Sequence, residues 1–175
     1  MRARIEKKDD KTVVIREIPF TTTTEGLTAS IEAAAQKGKV KIAAIQVYQV
    51  DLPLVEGRYS WSEGKYVEVF DSTVVELVTD DGRSGFGEVC PLGPVYLPSF
   101  AEGARTALRK LAPAILGLDP RQVDVVNRTM DGTMKGHPYA KSPVDMACWD
   151  LLGRAAGLPV SELLGGRVGA DFVLY

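Results

Sequence analysis

The stretch from Ser72 to Val89 constrains the fold more than any other part of the chain. Ser72–Thr79 is rich in valine and threonine, Asp80-Asp81-Gly82 is a turn sequence, and Ser84–Val89 returns. β-Branched runs on either side of a short Asp-Gly turn specify an antiparallel hairpin. Before it, Val40–Leu52 reads as a long strand with Ile42, Ile45, Val47 and Val50 apolar, closed by Pro53. The intervening Val55–Tyr66 is rich in glycine and aromatics and reads as a functional loop rather than a strand. A second irregular loop, Cys90–Pro98, follows the hairpin.

Helical periodicity takes over after that loop. Ser99 and Glu102 have the spacing of a capping box, and Phe100, Ala104, Leu108, Leu111 and Ile115 follow at helical spacing. Asp119-Pro120 reads as an N-cap with proline at the first helical position, opening a helix with Val123, Val126, Met130 and Met134 on one side. Ser142-Pro143 repeats the device for a helix with the apolar stripe Val144, Ala147, Cys148, Leu151, Leu152 and Ala155. Asp150 and Arg154 can pair on its other face, and Gly157 stops it. Leu158–Leu164 is a last short helical turn, and Phe172–Tyr175 reads as a strand just beginning, so the chain reads as a fragment.

At the front, Met1–Pro19 reads as a further hairpin turning at Lys8–Lys11. Thr22 and Glu25 have capping-box spacing for a helix that ends at Gly38. Strands followed by helices predict an α+β fold, an antiparallel β-meander followed by a helical bundle, with an α/β piece ahead of it.

Composition narrows the function classes. The 175 residues carry a net charge of −2, which argues against DNA binding despite a basic surplus over Met1–Lys41. No apolar run is long enough to span a membrane, and no apolar segment backs the charged N-terminus as in a signal peptide. Cys90 and Cys148 lie far apart, which fits a reducing cytoplasm and reads as two small buried hydrophobes. With His137 as the one histidine, a zinc site or a Ser-His-Asp triad is not expected.

Gly82-Arg83-Ser84-Gly85-Phe86-Gly87 has the glycine order G-x-x-G-x-G and runs into a strand, so it lacks the helix N-terminus that a phosphate cradle requires. Glu88 reads as a hydrogen-bonded loop anchor, and His137, beside Pro138 and Tyr139, as a loop-packing residue. No acidic trio stands at successive strand ends as an oxygen-ligand magnesium site would require. Tyr59, Trp61, Tyr66 and Tyr96 sit on the two irregular loops, where aromatics form either a satellite core or a wall facing a ligand.

Several of these segments carry a family resemblance. Lys41-Ile42-Ala43-Ala44-Ile45-Gln46-Val47-Tyr48, Gly85-Phe86-Gly87-Glu88, and Ser142–Gly153 with Leu158-Pro159 and Leu163–Gly166 resemble the enolase superfamily, in its mandelate racemase and muconate lactonizing branch. Val69–Val75 and Glu88–Pro98, with Gly136-His137-Pro138-Tyr139, are similar to cis-3-hydroxy-L-proline dehydratases and the related proline betaine epimerases. Residues 1–42, through Ile15–Thr24 and Ala33–Val40, resemble the A subunit of bacterial topoisomerase IV or gyrase.

The resemblance implies three segments: 1–40 as the topoisomerase-like piece, 41–166 as a capping domain, and 167–175 as the start of a (β/α)8 barrel truncated at its first strand. It implies that two cap loops, here about Gly57–Lys65 and Cys90–Pro98, close over a barrel mouth and select an amino-acid-like small molecule. Tyr59, Trp61 and Tyr96 become candidate substrate-binding residues, suited to a proline ring or a quaternary ammonium. In such families the barrel supplies lysine bases and an Asp/Glu/Asp magnesium site. Magnesium stabilises the enediolate formed when the proton α to a carboxylate is removed, which makes a dehydratase or an epimerase. No catalytic residue and no metal ligand of this chain corresponds to those groups. The family is usually homo-oligomeric. The readings set against a cap are a DNA-associated topoisomerase fragment and a non-catalytic interaction module.

Overall fold

The structure is a computed structural model and describes residues 4–7, 13–17, 38 and 40–169. Contacts divide the chain into two units, Met1–Lys39 and Val40–Tyr175. In the first, β1 (Arg4–Lys7) and β2 (Val13–Glu17) pair antiparallel with a register shift between Arg4 and Ile5. The helix read between Thr22 and Gly38 and the strand read at Phe172–Tyr175 lie outside the described residues.

The second unit runs β3 (Ile42–Pro53), β4 (Tyr59–Ser60), β5 (Tyr66–Val67), β6 (Val69–Thr79), β7 (Ser84–Val89), α1 (Ala101–Ile115), α2 (Val123–Thr133), α3 (Pro138–Ala156) and α4 (Val160–Leu163). Strands β3, β6 and β7 form one antiparallel sheet in that order, and β4–β5 is a small separate hairpin inside the loop read as irregular. The fold is α+β, with helices packed on one face of the sheet. Alternation decides which face: Thr73, Val75, Leu77 and Thr79 of β6 are all buried. Val75 and Leu77 meet Leu108, Leu111 and Ile115 of α1, Val126 and Met130 of α2, and Val144, Ala147, Cys148 and Leu151 of α3 in one apolar core.

Strand β7 and helix α3 approach unusually closely, and two glycines permit it. A Cβ on Gly87 would stand 2.8 Å from the Pro143 carbonyl carbon and 2.9 Å from Met146 Cβ, and one on Gly85 would overlap Ala147 and Leu151. The G-x-G of β7 is therefore a packing device, which agrees with the rejection of a phosphate loop. Asp150 completes the junction: its Oδ2 accepts the Phe86 N–H at 3.0 Å and its Oδ1 accepts Arg154 Nε at 2.9 Å.

Three helix starts differ from the sequence reading. Helix α1 has Phe100 rather than Ser99 at its N-cap and no side-chain cap, and the Ser99 N–H bonds the Leu97 carbonyl at 2.7 Å, so Ser99–Glu102 forms no capping box. Asp119-Pro120 builds a turn instead of opening α2. The Asp119 carboxylate accepts the Arg121 N–H at 3.0 Å, its carbonyl accepts that of Gln122 at 3.0 Å, and the helix starts at Val123. Met134 falls one residue beyond α2 in extended backbone, yet still packs against the core. Ser142-Pro143 lies inside α3, which starts at Pro138 behind a left-handed His137. Pro143 has no N–H for the Tyr139 carbonyl, and the buried ring sits where the helix passes under Gly87. Gly157, left-handed at φ 67°, ends α3 as read. Among the described residues no helix is long and apolar enough to cross a membrane.

Candidate functional site

Two connections leave the same end of the sheet. One joins β3 to β6 and contains β4 and β5; the other joins β7 to α1. The first folds back through Leu54 N–H to the Glu68 carbonyl and Trp61 N–H to the Lys65 carbonyl, both at 3.0 Å. The second winds around Gly93, whose carbonyl accepts the N–H groups of Tyr96 and Leu97 at 3.1 Å; at φ 109° this turn favours glycine.

The loops meet through aromatic rings. Trp61 stands 6.2 Å from Tyr59 in a tilted arrangement and 6.2 Å from Tyr96 edge-on, within the range of favourable ring pairs. Trp61 is half-buried, while Tyr59 is 57% and Tyr96 59% exposed. Val95 and Leu97 flank Tyr96 and are also exposed. All three residues expected to face substrate thus form one cluster. Tyr66 stands apart from it, under the Arg58 guanidinium at 4.7 Å.

Beneath the loops lies a polar base that the sequence reading does not single out. Arg105 of α1 grips Asp71 of β6 with two bonds of 2.7 and 2.8 Å and donates to Thr73 Oγ1 at 3.1 Å. Hydrogen bonding by that guanidinium holds the Asp71 carboxyl below its usual range despite partial burial. Ser72 Oγ donates to Glu88 Oε1 at 2.5 Å, which makes Glu88 the loop anchor expected of it. The signal that could have revealed Arg105 is a cation bordering the apolar stripe Ala101, Ala104, Ala107, Leu108 of α1. His137 lies within hydrogen-bonding reach of the Tyr139 hydroxyl at 3.4 Å and stacks edge-on at 5.8 Å, the loop-packing role read for it.

The cysteines differ from the expectation of two buried hydrophobes. Cys148 is buried in the core, where desolvation pushes its thiol up to about 12, but Cys90 is exposed at the root of the second loop. Burial also raises the Cys90 thiol, with Ser72 pulling it back. A thiol reagent at pH 8 is therefore expected to label the native protein once, at Cys90, with the second equivalent taken up only on denaturation. Native labelling that survives Cys90→Ser would contradict this packing.

Among the described residues no three His, Cys, Asp or Glu side chains gather where they could hold a metal ion. The described side chains therefore form no magnesium site.

Residues 40–165 match the mandelate racemase / muconate lactonizing enzyme, N-terminal domain. The chain is 60% identical over 136 residues to cis-3-hydroxy-L-proline dehydratase of Roseibium aggregatum, an alignment covering 78% of this chain and 37% of that protein. A mandelate racemase/muconate lactonizing enzyme from Roseovarius nubinhibens ISM superposes with TM-score 0.70 at 46% identity, covering 73% of this chain and 34% of that one. An enolase-superfamily member from the same organism, complexed with magnesium, gives 0.67 at 48% identity, covering 73% and 34%. The chain thus spans about a third of the length of these relatives. Through residues 40–165 it belongs to the mandelate racemase / muconate lactonizing enzyme family of the enolase superfamily, of which it carries the N-terminal domain.

Proposed function

We propose that residues 41–166 are the substrate-capping part of a magnesium-dependent enzyme that removes the proton α to the carboxylate of a proline derivative, of the cis-3-hydroxy-L-proline or proline betaine type. The observation that carries this reading is Trp61, which joins the two cap loops into one aromatic wall with Tyr59 and Tyr96. Such a wall suits a saturated ring with a cationic nitrogen, because the ring faces attract the charge while the apolar edges of the substrate displace water. Identity of 60% to the Roseibium dehydratase supports the substrate class and a dehydratase or epimerase reaction. In this reading the chain binds and orients; proton transfer and metal ligation belong to a barrel, with residues from 167 on as its beginning. Residues 1–40 are a separate, topoisomerase-like piece with no part in this function.

The test is a chimaera. The 175-residue chain alone is expected to give no turnover of cis-3-hydroxy-L-proline with Mg2+. Residues 40–165 joined to the remaining two thirds of the Roseibium relative are expected to restore it. In that chimaera Trp61→Ala should raise KM about tenfold with a smaller change in kcat, the scale of one cation–π contact in a desolvated site. Turnover by the isolated chain, or an unchanged KM in the variant, would refute the reading.

A further inference from the structure

Packing alone does not account for the first residues of β6. From Val74 to Val78 the strand is apolar apart from Glu76, and Val75 and Leu77 are fully buried on its core face. Just before this stretch, Asp71-Ser72-Thr73 sets three polar side chains in succession, and Ser72 and Thr73 are as completely buried as the valine and the leucine. A buried hydroxyl where an apolar side chain would fit is costly unless it is bonded. All three side chains are bonded, and strand alternation sends the bonds two ways. Asp71 accepts from Arg105 of α1 at 2.7 and 2.8 Å, and Thr73 Oγ1 accepts from the same guanidinium at 3.1 Å. Ser72 turns the other way: its Oγ donates to Glu88 Oε1 at 2.5 Å and has the Val89 carbonyl at 3.5 Å.

These bonds bracket the second loop. Glu88 and Val89 end β7 just ahead of it, and Arg105 is the fifth residue of the helix that follows it. The tripeptide itself starts at the third residue of β6, directly after the first loop. One short segment thus holds the return of one loop and both ends of the other. Between the two roots lies a cleft of about 190 Å3, with Val67, Val69 and Phe70 on one side and Pro91, Leu92 and Pro94 on the other. Close packing therefore does not fix the spacing of the roots. The bonds at Asp71-Ser72-Thr73 do, and at the tips the rings of Trp61 and Tyr96 meet.

From this we infer that Asp71-Ser72-Thr73 is a positioning element for substrate recognition: its side chains set the spacing of the two loop roots, and through it the alignment of Trp61 with Tyr96. Ser72 and Thr73 are positioning residues in this role, acting through Glu88 and Arg105 rather than on the ligand. The effect on recognition rests on the substrate reading above; the effect on the rings does not.

Fluorine NMR of the 175-residue chain tests it. Incorporated 5-fluorotryptophan gives one signal each from Trp61 and Trp149, the two tryptophans of the chain, and Trp61→Phe assigns them. Ser72→Ala and Thr73→Val are expected to move the Trp61 signal and leave that of Trp149 in place. Ser72→Thr keeps the hydroxyl and should stay near the parent. Thr79→Val is the comparison for stability alone. It removes a similarly buried hydroxyl at the far end of β6, bonded to Asp81 and Arg83, and should lower stability without moving Trp61. In the chimaera with the Roseibium relative, Ser72→Ala should raise KM for cis-3-hydroxy-L-proline about fivefold, the scale of one net hydrogen bond, with kcat within about twofold. Thr79→Val should change neither. If Ser72→Ala loses its native circular dichroism, Thr73→Val, which keeps the side-chain shape, decides. A Trp61 signal that stays in place in these variants, or moves as far in Thr79→Val, would overturn the inference, as would an unchanged KM in an active chimaera. An inactive parent chimaera would instead count against the substrate reading, and the fluorine spectra would still decide the role of the tripeptide.

Discussion

Gly87→Ala is expected to destabilise the domain by about 3 kcal/mol, the upper end of the range for overpacking a close-packed interior. The added methyl has nowhere to go. It meets the Pro143 carbonyl carbon at 2.8 Å and Met146 Cβ at 2.9 Å, and overlaps the Pro143 carbonyl oxygen. Most of these atoms are helix backbone, so no rotamer change relieves the clash, and α3 must lift from β7. Met146 can shift, but Pro143 is buried and rigid. Lifting α3 also lengthens the Phe86 to Asp150 bond and loosens Val144 and Ala147 from Val75 and Leu77. For a domain of this size the melting temperature should fall by roughly 10 °C, read by calorimetry. Gly82→Ala is the contrast: nothing lies within 4 Å of its added methyl, and only the left-handed φ of 82° opposes it. A loss at Gly87 no larger than at Gly82 would show that the strand–helix contact is looser than described.

The same junction shows what could and could not be read beforehand. The Ser72–Val89 hairpin, the α+β order and the stripes of α1–α3 follow from side-chain period alone, because burial of one face imposes it. Helix starts did not follow. Ser99, Asp119 and Ser142 are all competent caps, but a cap must stand directly before its helix: Phe100 holds that place in α1, Asp119 uses its carboxylate on the Arg121 N–H, and Ser142 lies inside α3. Pro143 reads locally as a first-turn residue, and only its packing beneath Gly87 makes an interior proline tolerable. The candidate aromatics are legible as types on loops, but their convergence on Trp61 depends on where the sheet delivers the two connections. Arg105 escapes notice because a single arginine beside an apolar stripe looks like any solvated residue until Asp71 and Thr73 are seen opposite it.

Arg105→Met should therefore be the second costly change, about 2 kcal/mol. Removing one partner of a fully buried pair costs roughly 3–5 kcal/mol, because the other charge is left without compensation. Here the Arg105 side chain is only 15% exposed, but Asp71 keeps 33%, so water screens part of the loss. Methionine preserves the apolar stem along α1, which confines the effect to the guanidinium and its three bonds. The pH dependence identifies the cause. The Asp71 carboxyl is held below its ordinary value in the folded state by hydrogen bonding from Arg105. The pair's contribution is thus present above the unfolded carboxylate range near pH 4 and is lost as pH falls through the lower folded value. Denaturant titrations should show the two proteins separated by about 2 kcal/mol at pH 7 and converging in acid, because the variant has no such contribution left to lose. Asp71→Leu added to Arg105→Met should recover most of the deficit, since neither charge then remains to be desolvated. A constant gap down to the acid transition would assign the loss to packing rather than to the pair. The aromatic cluster gives an independent reading: if this base holds the loop roots together, tryptophan fluorescence at pH 7 should change in Arg105→Met and return toward the parent spectrum in the double variant.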